Sequence, residues 1–317
     1  MRKIAILVTV LAFVAGAAGF VAPLRTAAQS DDALRQLPDG IGVVSIDVQK
    51  VTSSDLWASV AEKSGASKAL GEIQSGLADL GLKLTDLKTV TVAIPPSKSY
   101  GIAAIVNGSF VQDDLLARLR GNAKVKLTSE TYKGVAVFRV EETSSSGKKD
   151  DVSFSFFDAG TILIGSTTGV HAGVDVKTGE KPSLAQNDKI TGGLSEASAG
   201  AVRFAFALPP GFAGALKSST VPLPDFSTVS LIFGTVGIAS GIDLNATLRN
   251  DTAEHAKAMA NQLNGLLAMA KGFLGASSDP KMAPLVDAIK NITITDSNAD
   301  VKISGSLPKE ALAKIIH

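Results

Sequence analysis

Short segments in which apolar and polar residues alternate restrict the fold of this chain more than any other feature. In residues 152–156, Val152, Phe154 and Phe156 alternate with Ser153 and Ser155. The same period of two recurs in residues 202–208, 243–249, 292–294 and 300–304. Because successive side chains of a strand point to opposite faces, these segments predict strands with one buried and one solvated face. Such strands are typical of antiparallel sheets that helices cover on one side.

Apolar residues at three- and four-residue spacing predict helices between these strands. One helix is predicted from Ser67, a candidate N-cap, to a stop at Gly81. Another runs from about Val111 to Gly121, with acidic residues in its first turn and basic residues in its last. That distribution complements the helix dipole at both ends.

The longest predicted helix runs from about Asp251 to Lys271. Asp251 and Glu254 form a start that resembles a capping box, and Gly272 is expected to end the helix. Its predicted buried stripe consists of Met259, Leu263, Leu266 and Ala270. Shorter helices are expected to begin at Pro280 and Pro308, since proline is tolerated at the first helical position.

The two halves of the chain resemble each other. The string D-L-K-T-V-T-V from Asp86 matches D-F-S-T-V-S-L from Asp225, and Gly101-Ile102 matches Gly241-Ile242. Residues 44–48 correspond to 204–208, and the hairpin at 132–134 corresponds to the one at 297–298. Each half then contains strand, helix, strand, strand, helix, strand, strand. The predicted fold is α+β, with two similar modules of antiparallel sheet and helices packed on one face.

The repeat also predicts which side chains are buried. Val90, Val92, Val229 and Leu231 are expected to be buried in both halves, each against the helix that closes its own module. Thr89, Thr91, Thr228 and Ser230 are expected to be more exposed, unless the sheets join and cover them. The predicted domains are residues 29–180 and 181–317, with a boundary in the stretch 179–183, after a signal peptide at 1–28.

The first residues have the pattern of a secretory signal. Met1-Arg2-Lys3 precedes an uncharged apolar run from Ile4 to Leu24, and Thr26-Ala27-Ala28 places small residues before Gln29. This pattern predicts export, to the periplasm or the cell surface, with cleavage before Gln29. The alternative is an uncleaved anchor in the inner membrane, in which case the N-terminal segment makes the only membrane contact. The chain has no Cys, which excludes a lipid on an N-terminal cysteine and any disulfide.

The charge balance disfavours nucleic acid as a partner. Without residues 1–28 the chain carries 28 basic and 30 acidic residues, and its clearest basic pair, Lys148-Lys149, is followed at once by Asp150-Asp151. Binding to phosphates needs a basic stripe, which the sequence lacks. One Trp and two Tyr among 317 residues indicate a core of aliphatic side chains and phenylalanine.

Three segments resemble a family of exported bacterial proteins known only as a domain of unknown function. They are the run from Asp158 to Leu184, D-A-G-T-I-L-I-G-S-T-T-G-V-H-A-G-V-D-V-K-T-G-E-K-P-S-L, then Leu37-Pro38-Asp39, and Tyr132-Lys133-Gly134-Val135. These motifs have the character of turns and strands. The resemblance implies an exported two-module α+β protein and supplies no activity, ligand or catalytic residue.

The search for catalytic and metal sites rests on few residues. The three histidines are His171, His255 and His317. Two of them stand four residues from an aspartate, in the pairs His171 with Asp175 and Asp251 with His255. Two metal ligands on one helix face can have this spacing. Two ligands do not make a site, and the favoured interpretation is an exposed pair on a polar helix face. No catalytic, cofactor-binding or metal-binding residue and no cofactor is therefore predicted.

Serine and phosphate motifs are equally weak. The strings G-S-T-T-G from Gly165 and G-I-A-S-G from Gly237 lack the spacing of G-x-S-x-G, and Ser145-Ser146-Gly147-Lys148 lies in a polar stretch predicted to be a loop. Neither phosphate-binding glycine motif is present.

The favoured hypothesis is a non-enzymatic envelope protein that binds an unknown protein or other envelope component through a sheet face or a cleft between modules. Two alternatives stay open in the sequence. One is a periplasmic hydrolase that combines His171 or His255 with a serine from a distant segment. The other is a carrier of apolar or lipid ligands.

We expect the exported protein to begin near Gln29, because the small side chains at Thr26 and Ala28 suit a signal peptidase. Intact-mass measurement of protein from fractionated cells checks this. A soluble cytoplasmic product that retains Met1 would contradict it.

Overall fold

A computed structural model describes residues 27–61, 71, 74, 76–78, 82–122, 125–142, 152–209, 225–239, 241–275, 283–309 and 311–312. The chain divides into two compact units. The first holds the described residues up to Ser53 and from Val60 to Asp188, and the second holds Ser54–Ser59 and the chain from Lys189 onward. Residues 1–26 of the predicted signal segment, Ser67, Pro280 and the loop 143–151 lie outside the described residues.

The first unit contains seven described strands. They are β1 (Gly42–Asp47), β2 (Leu87–Ile94), β3 (Ala103–Gly108), β4 (Val125–Tyr132), β5 (Val135–Glu142), β6 (Val152–Asp158) and β7 (Thr161–Gly165). Its described helices are α1 (Ala27–Gln36), α2 (Val48–Thr52), α4 (Gln112–Gly121) and α5 (Thr167–Lys177). Helix α3 (Asp55–Ala61) belongs to both units, because the division between them falls inside it. The strand order is β1-β2-β3-β7-β6-β5-β4, and each neighbouring pair is antiparallel.

The prediction of a solvated face on β6 is wrong. Ser153 and Ser155 are as completely buried as the strand's apolar residues, because α5 packs over their face of the sheet. Their hydroxyls find partners there: Ser153 Oγ lies 2.8 Å from Thr167 Oγ1, and Ser155 donates to the Ala136 carbonyl at 2.8 Å. A small hydroxyl can be buried at little cost once it is hydrogen-bonded.

The threonines of β2 behave in the same way. Val90 and Val92 are buried as predicted, but Thr89 and Thr91, expected to be more exposed, are buried as well. Thr91 Oγ1 lies 3.1 Å from Ser45 Oγ on the neighbouring strand. Side chains on both faces of β2 are therefore buried.

The second unit has five described strands and three described helices. They are α6 (Asp188–Glu196), β8 (Val202–Ala207), β9 (Val229–Gly237), β10 (Gly241–Asn250), α7 (Ala253–Gly275), α8 (Ala283–Lys290), β11 (Thr293–Ser297) and β12 (Asp300–Pro308). The order β8-β9-β10-β12-β11 is again antiparallel throughout. The α+β class and the antiparallel sheets predicted from the sequence are confirmed.

The same strand arrangement recurs in both units. β8, β9, β10 and β12 pair in the order in which β1, β2, β3 and β7 pair. One side-chain hydrogen bond also recurs: Thr89 donates to Asn107 Oδ1 at 3.0 Å, and Thr228 donates to Asn250 Oδ1 at 2.9 Å. The segments that match in sequence thus occupy equivalent places in their sheets.

One predicted equivalence is wrong. The turn at Asn298 leads into β12, which pairs with β10, so its counterpart is the turn that leads from β6 into β7. The hairpin at Lys133 joins β4 to β5, two strands that lie farther out and have no described counterpart in the second unit. Its position in the sequence could not reveal this, because both hairpins follow a helix.

Several details of the second unit also differ from the prediction. Helix α7 begins at Ala253, because Thr252 Oγ1 accepts from the His255 N–H at 3.2 Å, and it continues through Gly272 to Gly275. Only Met259 of its predicted stripe is buried, whereas Leu263, Leu266 and Ala270 are half-buried.

Burial on the strands of the second unit also departs from the alternation. Val229 packs against α7 as predicted, but Leu231 lies beside Gly193 of α6. Leu244, predicted to be buried, is 37% exposed. Pro308 ends β12 instead of beginning a helix, and the helical turn starts at Lys309.

The first unit extends to Asp188, past the boundary predicted at residue 180. The reason is a set of backbone contacts with the start of the chain. Pro38 forms an isolated bridge with Ser183, and the Leu184 N–H donates to the Leu37 carbonyl at 2.9 Å. Leu37 and Leu184 are both fully buried.

We expect Met259→Ala to lower the free energy of unfolding by about 2–5 kcal/mol, because it leaves a cavity among Val229, Leu248 and Val301. Leu263→Ala should cost less, since Leu263 is half-buried. Urea unfolding of both variants measures the difference, with exposed Asn261→Ala as the control. Equal losses from Met259 and Leu263 would show that the burial of this helix has been assigned wrongly.

Candidate functional site

The three segments that carry the family resemblance come together in the first unit. The Asp39 N–H donates to the Pro182 carbonyl at 3.3 Å, which joins the first segment to the end of the long run. Asn187 Nδ2 donates to Asp39 Oδ1 at 2.8 Å and to the Gly40 carbonyl at 3.2 Å. The segment after α5 is thereby fixed against the start of β1.

The hairpin between β4 and β5 is joined to α5. The Tyr132 hydroxyl donates to Asp175 Oδ1 at 3.0 Å, and the Tyr132 ring stacks on His171 with 4.0 Å between centroids and 8° between planes. Lys133 donates to the same Asp175 oxygen at 2.6 Å and also bonds Glu180. Tyr132, Lys133, Asp175, Glu180 and Lys181 are called the Asp175 cluster below.

Asp175 is the buried centre of this cluster, with 6% of its side chain exposed. Its second carboxylate oxygen accepts from Lys181 at 2.7 Å. Burial alone raises the pKa of Asp175, but hydrogen bonds from Lys133, Lys181 and Tyr132 outweigh that effect and lower the pKa from 3.8 to about 2. The bonds to Asp175 and Glu180 in turn raise the pKa of Lys133. The carboxylate is therefore charged at neutral pH.

A cavity of about 380 Å³ lies beside the cluster. Its wall includes four prolines, Pro38, Pro95, Pro96 and Pro182, together with Ile41, Ala172 and Tyr100. Asp39 and Lys181 are the charged residues of this wall among the described residues. Lys181 thus belongs to both the cluster and the cavity.

Glycines allow the rim of the cavity to approach α5. Gly101 has φ of +70°, and a Cβ there would lie 2.2 Å from Ser166 Oγ. A Cβ at Gly169 would lie 2.0 Å from the Ile102 carbonyl oxygen. The segment that carries Tyr100 can therefore pack directly on the first turn of α5, and it leaves Tyr100 61% exposed at the cavity.

The histidines do not assemble a catalytic site in the described part of the chain. His171 Nε2 lies 2.7 Å from Glu130 Oε1, and His255 Nδ1 lies 2.6 Å from Asp251 Oδ1. Within the described residues neither imidazole is hydrogen-bonded to a serine hydroxyl. The spacing of Asp251 and His255 is explained by a direct, exposed pair at the start of α7, whereas His171 and Asp175 each have separate partners.

The serine strings have structural roles or cannot be placed. Ser166, in the string from Gly165, is the N-cap of α5, and its Oγ accepts from the Gly169 N–H at 3.1 Å. Ser145-Ser146-Gly147-Lys148 lies outside the described residues. In the described segments no group of three or more His, Cys, Asp or Glu is arranged to hold a metal ion. None of the helices described there is long and apolar enough to cross a membrane.

A second ionic cluster lies in the second unit. Arg249 donates to Glu196 at 2.8 and 2.6 Å and to Asp300 at 2.9 and 3.0 Å, and it lies 5.1 Å from the Phe233 ring centroid. The Arg249 guanidinium is hydrogen-bonded to both carboxylates, so the cluster links α6 to the sheet.

Sequence reasoning did not identify the cavity or the Asp175 cluster. It noted Asp175 only as the partner of His171 on one helix, because cross-chain neighbours at 132, 133 and 181 are not visible in a helical spacing. The sequence feature that could have indicated the cluster is the family resemblance, because the residues of the Asp175 cluster lie in the resembling segments.

We expect Asp175→Asn to lower the free energy of unfolding by about 2 kcal/mol near neutral pH, the value of the pKa difference between 3.8 and about 2. Because the folded-state pKa is depressed, this stability is present above the unfolded pKa and is lost as pH falls through the folded pKa. Urea unfolding between about pH 5 and pH 2 should therefore show a steeper decline for the wild type than for the variant. Exposed Asp296→Asn is the control, and parallel declines of wild type and Asp175→Asn would contradict the prediction.

Comparison with known proteins gives a fold and no family. No family model matches the sequence, and no curated protein matches it. The solved structure of TP0453 in crystal form III is similar, with a TM-score of 0.51 and 12% sequence identity over 90% of this chain and 97% of that one. Crystal forms I and IV of TP0453 give TM-scores of 0.48 and 0.49, with 13% and 12% identity and 90% of this chain and 96% of theirs covered. The similarity to form III supports the α+β fold alone.

Proposed function

We propose that this chain is a non-catalytic binding protein exported to the bacterial envelope, and that the cavity in the first unit is its ligand site. The observation that carries the proposal is the meeting of the chain segments 38–41, 93–103 and 172–182 around one cavity with a mostly apolar, proline-rich wall. A volume of about 380 Å³ lies in the range of small-molecule sites. Export rests on the secretory pattern of residues 1–28.

The wall of the cavity favours a ligand with an apolar body. Prolines have few conformations, so Pro38, Pro95, Pro96 and Pro182 lose little entropy when a ligand binds. Tyr100 offers an exposed aromatic face at the same place. Aromatic rings contribute large contact areas at low conformational cost.

Lys181 favours a ligand with an acidic group. Its ammonium has three N–H groups, of which one is given to Asp175 at 2.7 Å. The buried carboxylate holds this ammonium in place and leaves donors that can bind a carboxylate or a sulfonate. We therefore propose a small, partly apolar acid, such as an envelope metabolite or the end of an envelope component.

A carrier of apolar or lipid ligands is the second candidate, favoured by one face of the second unit's sheet. Phe204 and Phe206 are half-buried there with 6.0 Å between ring centroids, and Leu244 on the same face is 37% exposed. A hydrolase receives no such support, because among the described residues no serine hydroxyl is hydrogen-bonded to His171 or His255, whose partners are Glu130 and Asp251.

Anilinonaphthalene sulfonate, which combines an aromatic body with an acidic group, is a suitable probe. We expect the purified chain to bind it with increased fluorescence. Ala172→Trp should abolish the binding by filling the cavity, and Lys181→Met should weaken it about tenfold by removing a charged donor. Thermal unfolding verifies that both variants remain folded.

Two exposed substitutions serve as matched controls, Ala268→Trp and Lys302→Met, and both should bind the probe as the wild type does. Unchanged binding in Ala172→Trp would refute the cavity as the site. If binding is then lost in Leu244→Asp, the sheet face of the second unit becomes the ligand site.

A further inference from the structure

The outer edge of β4 is unpaired in the part of the chain that the structure describes. β4 ends the strand order of the first unit and pairs with β5 along its whole length, from Val125 opposite Glu142 to Tyr132 opposite Val135. Apart from its hydrogen bonds to β5, the described backbone hydrogen bonds of β4 are limited to one, which the Val125 N–H donates to the Asn122 carbonyl at 3.0 Å. An edge with free N–H and C=O groups is a template for another strand.

The turn after β4 determines which backbone groups face outward. Lys133 and Gly134 have positive φ angles of 50° and 80°, which are typical of a two-residue hairpin turn. Such a turn hydrogen-bonds the two flanking residues to each other, and hydrogen-bonded positions alternate from there. The pairing of β4 with β5 has no bulge. The backbone groups of Leu127, Ser129 and Thr131 therefore point away from β5.

We propose that two copies of this chain associate through β4, in antiparallel pairing about a two-fold axis at Thr128. This register places Leu127 of one copy opposite Ser129 of the other, so two outward-facing positions form a hydrogen-bonded pair. It also places Lys126 of each copy opposite Glu130 of the other. The two strands then continue one sheet across the axis.

Charge complementarity selects this occupant and this register. The side chains of Lys126 and Glu130 are 68% and 57% exposed, and they stand at equal distances on either side of Thr128. Edges that avoid association carry like charges that repel a second strand. Here the reversed order of a second copy brings unlike charges together twice, and opposite charges across a strand pair stabilise it. A shift by one hydrogen-bonded step, to an axis at Ser129, would place Glu130 opposite Thr128 and lose both pairs.

The edge of the second unit differs. At β11, Asn264 Nδ2 of α7 donates to the Ile294 carbonyl at 3.2 Å, and the Ile294 side chain packs on the same helix. A backbone group of β11 is thus already occupied by a side chain of its own unit. The contrast makes β4 the edge that is available for pairing.

Sedimentation velocity of the purified chain over a dilution series tests the proposal. The wild type should be a concentration-dependent dimer, as expected for a narrow interface. Lys126→Glu and Glu130→Lys should each raise the dissociation constant at least about tenfold, because the two-fold axis turns two attractive pairs into two repulsive ones. Lys88→Glu, an exposed lysine on β2, is the matched control and should dimerise as the wild type does.

Two further mixtures make the result specific to the register. The double variant Lys126→Glu with Glu130→Lys should dimerise again. An equimolar mixture of the two single variants should form a one-to-one heterodimer, since one copy then carries two acids opposite two lysines. A wild type that stays monomeric, a single variant that still forms dimers as the wild type does, or a mixture that stays monomeric would each overturn the proposal.

Discussion

The carboxylate of Asp175 is the group on which the arrangement of the first unit's candidate site depends. Its two oxygens accept from Tyr132 and Lys133 on the outer hairpin and from Lys181 after α5. A buried carboxylate with fewer partners would carry a large desolvation cost, so these three donors are required together. Meeting that requirement places Lys181 at the cavity and keeps the tip of the hairpin on the helix.

Two of the resembling segments look structural in sequence and still line part of the cavity, with Pro38 and Asp39 from one and Ala172, Lys181 and Pro182 from the other. Each contributes backbone contacts that hold a loop: Asp39 N–H to Pro182, and Leu184 N–H to Leu37. Loops held in this way can present rigid residues such as proline without being covered by other elements. A turn motif can therefore mark a binding site when several turns meet.

Much of the fold could be predicted from periodicity, because it depends on which face of each element is apolar. The strands near residues 90, 154 and 204 and the helices near 115 and 260 were found where the pattern placed them. Alternation could not show that the polar faces of β2 and β6 are buried. Ser45 with Thr91, and Thr89 with Asn107 and Thr161, satisfy one another across neighbouring strands. In a single strand, serine and threonine residues predict a solvated face. Only the pairing of strands shows that their hydroxyls have hydrogen-bond partners.

The Asp175 cluster could not be predicted from the sequence for a related reason. Helical spacing linked His171 to Asp175, yet the contacts of these residues come from strands some forty positions earlier. The sequence repeat led to a wrong prediction for the hairpin at Lys133, which was matched to the hairpin at Asn298. Once pairing is known, β4 and β5 are additions to a shared arrangement of strands.

That addition connects the two proposals. The repeated strands β1, β2, β3 and β7 have counterparts in the second unit, whereas β4 and β5 have none among its described strands. The hairpin they form delivers Tyr132 and Lys133 to Asp175 at its tip and leaves a strand edge open along its side. The described strands of the second unit pair in the repeated order without either feature. The departure from the repeat is thus where the candidate ligand site is anchored and where a second copy can pair. Glu130 links the two directly, because the carboxylate that bonds His171 beside the cluster also faces the two-fold axis of the proposed dimer.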